Sequence, residues 1–366
     1  MTTASRPPDL TLSHIEFAVE AESGGTRRLL EDFGFTVLGS RTREQASHGA
    51  SRVTVLQSGS GTPMVLTEAL SNEHPGAGYL AAHGEGVADI AFSTPDAVAA
   101  YRHATAAGGT GLTEPQEIEG VVRCQVRAFG DVVHTIYQTD GAHPLELTEG
   151  VTLTASADEP PGDLGRVDHI AVCLASGDLA PVVEQYTNAL GFAVIFEERV
   201  QVGDQAMNSK VVQGGNGRLT LTLLEPDEDA LPGQIDDFLK DHGDAGVQHV
   251  ALESADIVAA VRRLKGVGVP FLTPVPAYYE IAGGRIRPSS HAIADLSAQG
   301  ILFDEDHDGQ LYQIFTRSLH PRGTLFFEIV ERAGARTFGS GNIRALYESV
   351  EISRTGSAPG PRQEET

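Results

Sequence analysis

Apolar and polar positions along the second half of the chain set out its elements before anything else is considered. Residues 167–174 alternate with the period of two that marks a half-buried strand. A helix is predicted over 178–190, with Asp178 as N-cap, Pro181 in the first turn and Gly191 past the end. Residues 206–213 and 219–225 read as strands around Gly214-Gly215-Asn216-Gly217, a hairpin turn. A second module follows: a strand over 247–253, a helix over 256–266 closed by Gly268, and late strands near 311–316 and 324–331.

The first half carries the same pattern. From Gly86 the sequence aligns with that from Gly246 at a constant offset of 160, matching Val87/Val247, Ala91/Ala251, Asp96/Asp256, Ala99/Ala259, Ala100/Ala260 and Arg102/Arg262. Further matches follow at offsets of 155 to 157: SHIEFAV (13–19) with DHIAVCL (168–174), FGFTV (33–37) with LGFAV (190–194), and Gly61 and Glu68 with Gly217 and Glu225. The same elements in the same order mean a duplication. The predicted organisation is a first half over 10–150, a linker over 151–165 containing Pro160 and Pro161, a second half over 166–335, and a C-terminal segment over 336–366. Two modules per half predict an α+β fold of curved, mostly antiparallel sheets with helices outside.

Composition agrees with two domains, since 366 residues at about 150 per domain give about 2.4. With 26 basic and 50 acidic residues the formal charge is −24, which disfavours nucleic acid and anionic membrane surfaces as partners. No apolar run nears the roughly 20 residues of a membrane span. Two cysteines cannot build a disulfide framework, and MTTASRPPDL lacks the apolar run of a signal peptide, so a reducing cytoplasm is expected. An anionic substrate of so acidic a protein needs a local attractor, and a metal ion is the first candidate.

His169, His249 and Glu328 supply the candidate ligands, each from a different strand of the second half. Two neutral imidazoles and one carboxylate, leaving three positions open, form the arrangement that non-haem Fe(II) oxygenases use. In the first half His14 matches His169, but Asp89 stands where His249 does and Thr135 falls nearest Glu328. Metal is therefore expected only in the second half. Other motifs are weaker. Asp304, Asp306, Asp308 and Gly309 mimic the start of a calcium-binding loop, but Phe315 stands where a bidentate Glu is needed, so a solvated acidic loop is expected. Gly339-Ser340-Gly341 fails as a dinucleotide fingerprint, no Gly-x-Ser-x-Gly elbow exists, and Cys173 is expected as a small buried hydrophobe beside His169.

VDHIAV around His169, DAGVQHVAL around His249, LYQIFT (311–316), FFEIVER around Glu328 and TFGSGNIRALYESVE (337–351) together resemble the 4-hydroxyphenylpyruvate dioxygenase family. That family is part of the vicinal-oxygen-chelate superfamily, and the resemblance covers nearly the whole chain. It implies duplicated βαβββ modules forming two open-barrel halves, Fe(II) held by His169, His249 and Glu328, and a helix near 341–352 closing the site. It also implies 4-hydroxyphenylpyruvate and O2 as small-molecule substrates and a homodimer through the first half. By the same carry-over Ser209, Gln234, Gln248 and Gln313 resemble polar pocket lining, and Phe315, Phe326 and Phe338 apolar walls; strict alternation would point Gln248 away from His249. The ring-hydroxylating branch usually has Pro-x-Asn-Glu-Pro where this chain has Thr222, Leu223, Leu224, Glu225 and Pro226, and a phenylalanine where this chain has Ile343. Thr222, Leu224 and Ile343, with MNSKVV and AYYE, match the branch that forms (S)-4-hydroxymandelate and CO2, which would suit a route to hydroxyphenylglycine in peptide antibiotics. The alternatives are a homogentisate-forming dioxygenase and a metal-free protein of the superfamily that binds an aromatic ligand.

Overall fold

A computed structural model describes residues 7–20, 25–45, 49–118, 120–139, 151–152, 163–274, 277–337 and 342. The first half runs β1 (Thr11–Val19), α1 (Gly25–Asp32), β2 (Thr36–Gln45), β3 (Gly49–Gln57), β4 (Met64–Ala69), α2 (Pro75–His83), β5 (Gly86–Thr94), α3 (Ala97–Ala106), β6 (Gly111–Ile118), β7 (Val121–Phe129) and β8 (Val132–Gln138). The second half repeats the order. Its first module is β9 (Val167–Cys173), α4 (Leu179–Glu184, continued by a π-helical turn, Gln185–Ala189), β10 (Ala193–Val202), β11 (Gln205–Gly214) and β12 (Leu219–Pro226). Then come α5 (Gln234–His242), β13 (Gly246–Glu253), α6 (Ile257–Gly266), α7 (Ala277–Arg285), α8 (Ile293–Gln299), β14 (Leu302–Glu305), β15 (Gln310–Phe315) and β16 (Phe326–Ala333).

Each half is one eight-stranded sheet, ordered β2-β3-β4-β1-β5-β8-β7-β6 in the first and β10-β11-β12-β9-β13-β16-β15-β14 in the second. Replacing each strand of the first by the one eight places later gives the second, so the duplication is one of fold as well as sequence. Both sheets are α+β half-barrels, antiparallel apart from two parallel pairings each, β1–β4 and β5–β8 in one and β9–β12 and β13–β16 in the other. The repeat also conserves helix starts. Asp96 accepts from the Ala99 amide at 2.8 Å to cap α3, and Asp256 accepts from that of Ala259 at 2.9 Å to cap α6.

Elements α4, β10, α7 and α8 depart from the sequence reading. Asp178 does not cap α4 with its side chain; the Gly177 and Leu179 amides instead donate to Glu225 on β12 at 3.1 and 3.0 Å. Strand β10 was missed because it is an edge strand whose residues are mostly exposed, so alternation is weak. Helices α7 and α8 are inserted between α6 and β14, where the first half has only residues 107–110. No helix among the described residues is long and apolar enough to cross a membrane.

Strand alternation sends Ile170 and Val172, like Ile15 and Phe17 in the first half, into one core shared by the two sheets and their helices. Phe327 of β16 packs edge-on against Phe33 at 5.4 Å and near Phe17 at 6.2 Å. His134 of β8 bridges the halves from the other side: its Nδ1–H donates to the Ile90 carbonyl and its Nε2 accepts from the Tyr186 hydroxyl, both at 2.8 Å. Burial lowers the His134 pKa to about 4, keeping it neutral and fixing that tautomer. Gly61 lets the halves approach, since a Cβ there would lie 1.9 Å from the Gly165 carbonyl oxygen. The side chain of Phe327 is 1% exposed and joins both halves, so Phe327→Ala is expected to destabilise the chain by about 3–5 kcal/mol. Chemical denaturation checks this; a loss below about 1 kcal/mol would show that the halves do not share a core.

Candidate metal centre

Three neighbouring strands build the centre. β9 and β13 run antiparallel with His249 opposite Ala171 and Ala251 opposite His169. β13 and β16 run parallel with Ala251 opposite Glu328. His169, His249 and Glu328 thereby share the concave face, and one donor atom from each lies within 4.8 Å of the others. Glu328 Oε2 is 3.1 Å from His169 Nε2 and 3.2 Å from His249 Nε2. Two cis ligands on an octahedral ion with bonds of about 2.1 Å would be separated by about 3 Å, so these residues fit a metal with little rearrangement.

The rings are held by an irregularity that sequence could not show. The β9–β13 ladder slips twice, once between Val247 and His249 and once opposite, between His169 and Val167. The residues at the slips are Gln248 and Asp168, each immediately before a candidate ligand. Asp168 Oδ1 lies 2.7 Å from His169 Nδ1, and Gln248 Oε1 lies 3.2 Å from His249 Nδ1. A bulge turns the bulged residue's side chain alongside its neighbour's. With Nδ1–H bound to an oxygen, Nε2 is the atom left for a metal. Gln248 thus orients the His249 ring, where alternation alone had placed it on the opposite face.

A further set of contacts fixes the carboxylates. Arg332, four positions beyond Glu328 on the same strand, makes a bidentate pair with Asp168 at 2.6 and 2.8 Å, and its third nitrogen donates to the carbonyls of Ala335 and Thr337. Burial would raise the Asp168 carboxyl, but Arg332 and His169 hold it far below the usual range. Gln313 Nε2 donates to Glu328 Oε1 at 2.6 Å, while its Oε1 accepts from Asn342 Nδ2 at 2.7 Å. Asn342 in turn accepts from the Tyr278 hydroxyl and donates its amide to Asp304. Asp168, Arg332, Asn342 and Tyr278 were all missed from sequence. Only the Asp-His and Gln-His dipeptides offered a signal, and it needs the bulges to be read.

The remaining sequence candidates are placed as follows. Ser209 and Leu224 face each other across β11 and β12, and Thr222 and Leu224 pair with Ala171 and Cys173, so all lie on the concave face with the triad. Leu224 packs with Cys173, Met207, Ile235 and Phe238, and the buried Thr222 hydroxyl has no partner among the described residues. Phe326 stacks on the His249 ring at 4.9 Å and Phe315 meets it edge-on at 6.0 Å. Gln234 opens α5, beside the Leu224 cluster. Phe338, Ile343 and, apart from Asn342, the helix expected at 341–352 lie outside the described residues, as do residues 153–162 of the linker. The acidic loop is a structural anchor instead of a merely solvated turn. Asp306 accepts from the amides of Asp308, Gly309, Arg336 and Thr337.

Electrostatics in the metal-free chain carry a proton that a metal must displace. Burial alone would lower His169, but the Glu328 and Asp168 carboxylates outweigh it and hold its pKa at about 9. Burial would raise Glu328, yet His169 and His249 bring it to about 2. His249 is lowered, with burial dominant. At neutral pH the pair therefore holds one proton, on His169. Metals take neutral imidazole, so binding expels that proton. Affinity is expected to rise about tenfold per pH unit until about pH 9 and then level off. Anaerobic calorimetric titration with Fe(II), in buffers of different ionisation enthalpy, should show about one proton released at pH 7; pH-independent affinity would contradict this assignment.

Comparison with known proteins agrees with this geometry. The model of the Glyoxalase/Bleomycin resistance protein/Dioxygenase superfamily matches residues 166–313. The chain is 30% identical to 4-hydroxyphenylpyruvate dioxygenase of Caenorhabditis briggsae over 97% of this chain and 96% of that protein. It is 32% identical to the 4-hydroxyphenylpyruvate dioxygenase-like protein of Rattus norvegicus, over 94% and 97%. Among solved structures, a triple mutant of 4-hydroxymandelate synthase from Streptomyces coelicolor is 37% identical, with a TM-score of 0.85 over 95% of this chain and 100% of that one. The duplicated half-barrels, the buried triad and this likeness over nearly full length together show that the chain belongs to the 4-hydroxyphenylpyruvate dioxygenase family.

Proposed function

We propose that this chain is an Fe(II)-dependent dioxygenase that converts 4-hydroxyphenylpyruvate and O2 into (S)-4-hydroxymandelate and CO2. The observation that carries the reading is the buried set of two imidazole nitrogens and one carboxylate oxygen on a single strand face. An Fe(II) ion held by His169, His249 and Glu328 would supply chelation of the 2-oxo acid and activation of O2. The chain's own residues do the positioning. Asp168 and Gln248 aim the two rings, and Gln313 occupies one oxygen of Glu328 so that the other faces the imidazoles. Phe315 and Phe326 keep water from the His249 side of the site.

The choice of product is positional, because 4-hydroxymandelate and homogentisate are isomers formed from the same atoms. Ring hydroxylation requires the aromatic carbon to be held next to the metal. Leu224 and its apolar neighbours offer a phenol ring no hydrogen bond at that end of the concave face, which favours presentation of the benzylic carbon. The 37% identity to a hydroxymandelate synthase structure supports the same branch. The names of the curated relatives favour homogentisate as the second reading. Incubation of iron-loaded protein with 4-hydroxyphenylpyruvate and O2, followed by chromatographic separation of the isomers, is expected to give 4-hydroxymandelate, with Leu224→Asn moving part of the product to homogentisate. Homogentisate as the main wild-type product would overturn the proposal.

A further inference from the structure

The concave face of the first half is an open cavity of about 780 Å³, in the place that the triad occupies in the second. That size suits a small organic ligand, for which pockets of about 300–1,000 Å³ are usual. The ligand positions have been rewritten. Thr135 replaces Glu328 and donates its amide at 3.0 Å, and its hydroxyl, to Asp89, which replaces His249. Glu16 stands where β9 has Ala171 and accepts from the Thr67 hydroxyl at 2.6 Å. Arg43 on β2 and Arg123 on β7, from opposite flanks of the curled sheet, both line the cavity and both act on the Glu16 charge.

In a chain of net charge −24, two half-buried guanidiniums converging on one cavity are a local attractor for an anion. Guanidinium geometry suits a carboxylate, which it can meet through two parallel hydrogen bonds. The lining offers apolar surface from Val53, Ile118, Val133 and Tyr137, alongside polar Ser51, Thr67 and Thr135 and the carboxylates of Glu16, Asp89 and Asp131. We propose that this face binds a small organic monocarboxylate, its carboxylate between Arg43 and Arg123 and its carbon skeleton against the four apolar side chains. Burial raises the Glu16 pKa despite Thr67, Arg123 and Arg43, so Glu16 itself opposes an anion less than an ordinary carboxylate would. The site is separate from the triad and independent of which product the second half makes.

The test uses 4-hydroxyphenylacetate, which lacks the 2-oxo group needed for chelation, titrated calorimetrically into metal-free full-length protein. Saturable binding is expected, unchanged in His249→Ala and weakened at least about tenfold in Arg43→Gln/Arg123→Gln, a loss within the range of a charge-assisted bidentate contact. The neutral analogue 4-hydroxyphenylacetamide needs no variant and should bind at least about tenfold more weakly to the wild type. Absence of saturable binding would overturn the proposal. So would equal binding of the amide, or binding that is lost in His249→Ala and kept in the arginine variant.

Discussion

One carboxylate oxygen, Glu328 Oε2, meets two imidazole nitrogens at 3.1 and 3.2 Å in a place where the carboxylate is 1% exposed. An unpaired charge so deeply buried costs several kcal/mol, so the surroundings must supply donors on every side. They do: His169 and His249 reach one oxygen and Gln313 the other. The rest of the second half can be read as what keeps those donors in place. The Arg332–Asp168 pair holds His169, the bulge at Gln248 holds His249, and Asn342 and Tyr278 fix Gln313. These contacts run from β9 to the chain beyond β16, so the start and the end of the second half are tied together through the centre.

The same frame in the first half shows which parts belong to the fold and which to the chemistry. Its ladder slips at the equivalent positions, Ser13 and Ala88, and Ser13 still contacts His14 Nδ1 at 3.0 Å. The bulge is thus a property of the duplicated module. What differs is the side chains: Ala88 cannot hold a ring as Gln248 does, and Asp89 and Thr135 satisfy one another. A buried polar pair that closes on itself has little capacity left for a metal. The acidic first half keeps its cavity and lines it with arginines.

The repeat was legible because the matched residues do matched work: Asp96 and Asp256 cap equivalent helices, and Gly34 and Gly191 adopt positive φ after another equivalent pair, α1 and α4. The convergence of His169, His249 and Glu328 was legible because few roles bring such side chains onto one face of adjacent strands. The groups around them were not, because a one-residue slip in a ladder leaves no mark in residue type; alternation therefore sent Gln248 to the opposite face and gave Asp168 no role. Exposure hid β10. Gly283 and Gly284 weaken the helical signal of α7, and the acidic run at 304–308 hid its anchoring role because solvated acidic turns share its composition.

We expect one metal centre in the duplicated chain, in the second half, built by Glu328 and two bulge-held histidines. The most direct test is the number of Fe(II) ions retained per chain after anaerobic loading and removal of loosely bound metal. One per chain is expected, falling to none in Glu328→Ala while the fold persists. Two ions per chain, none, or one that survives Glu328→Ala would contradict it.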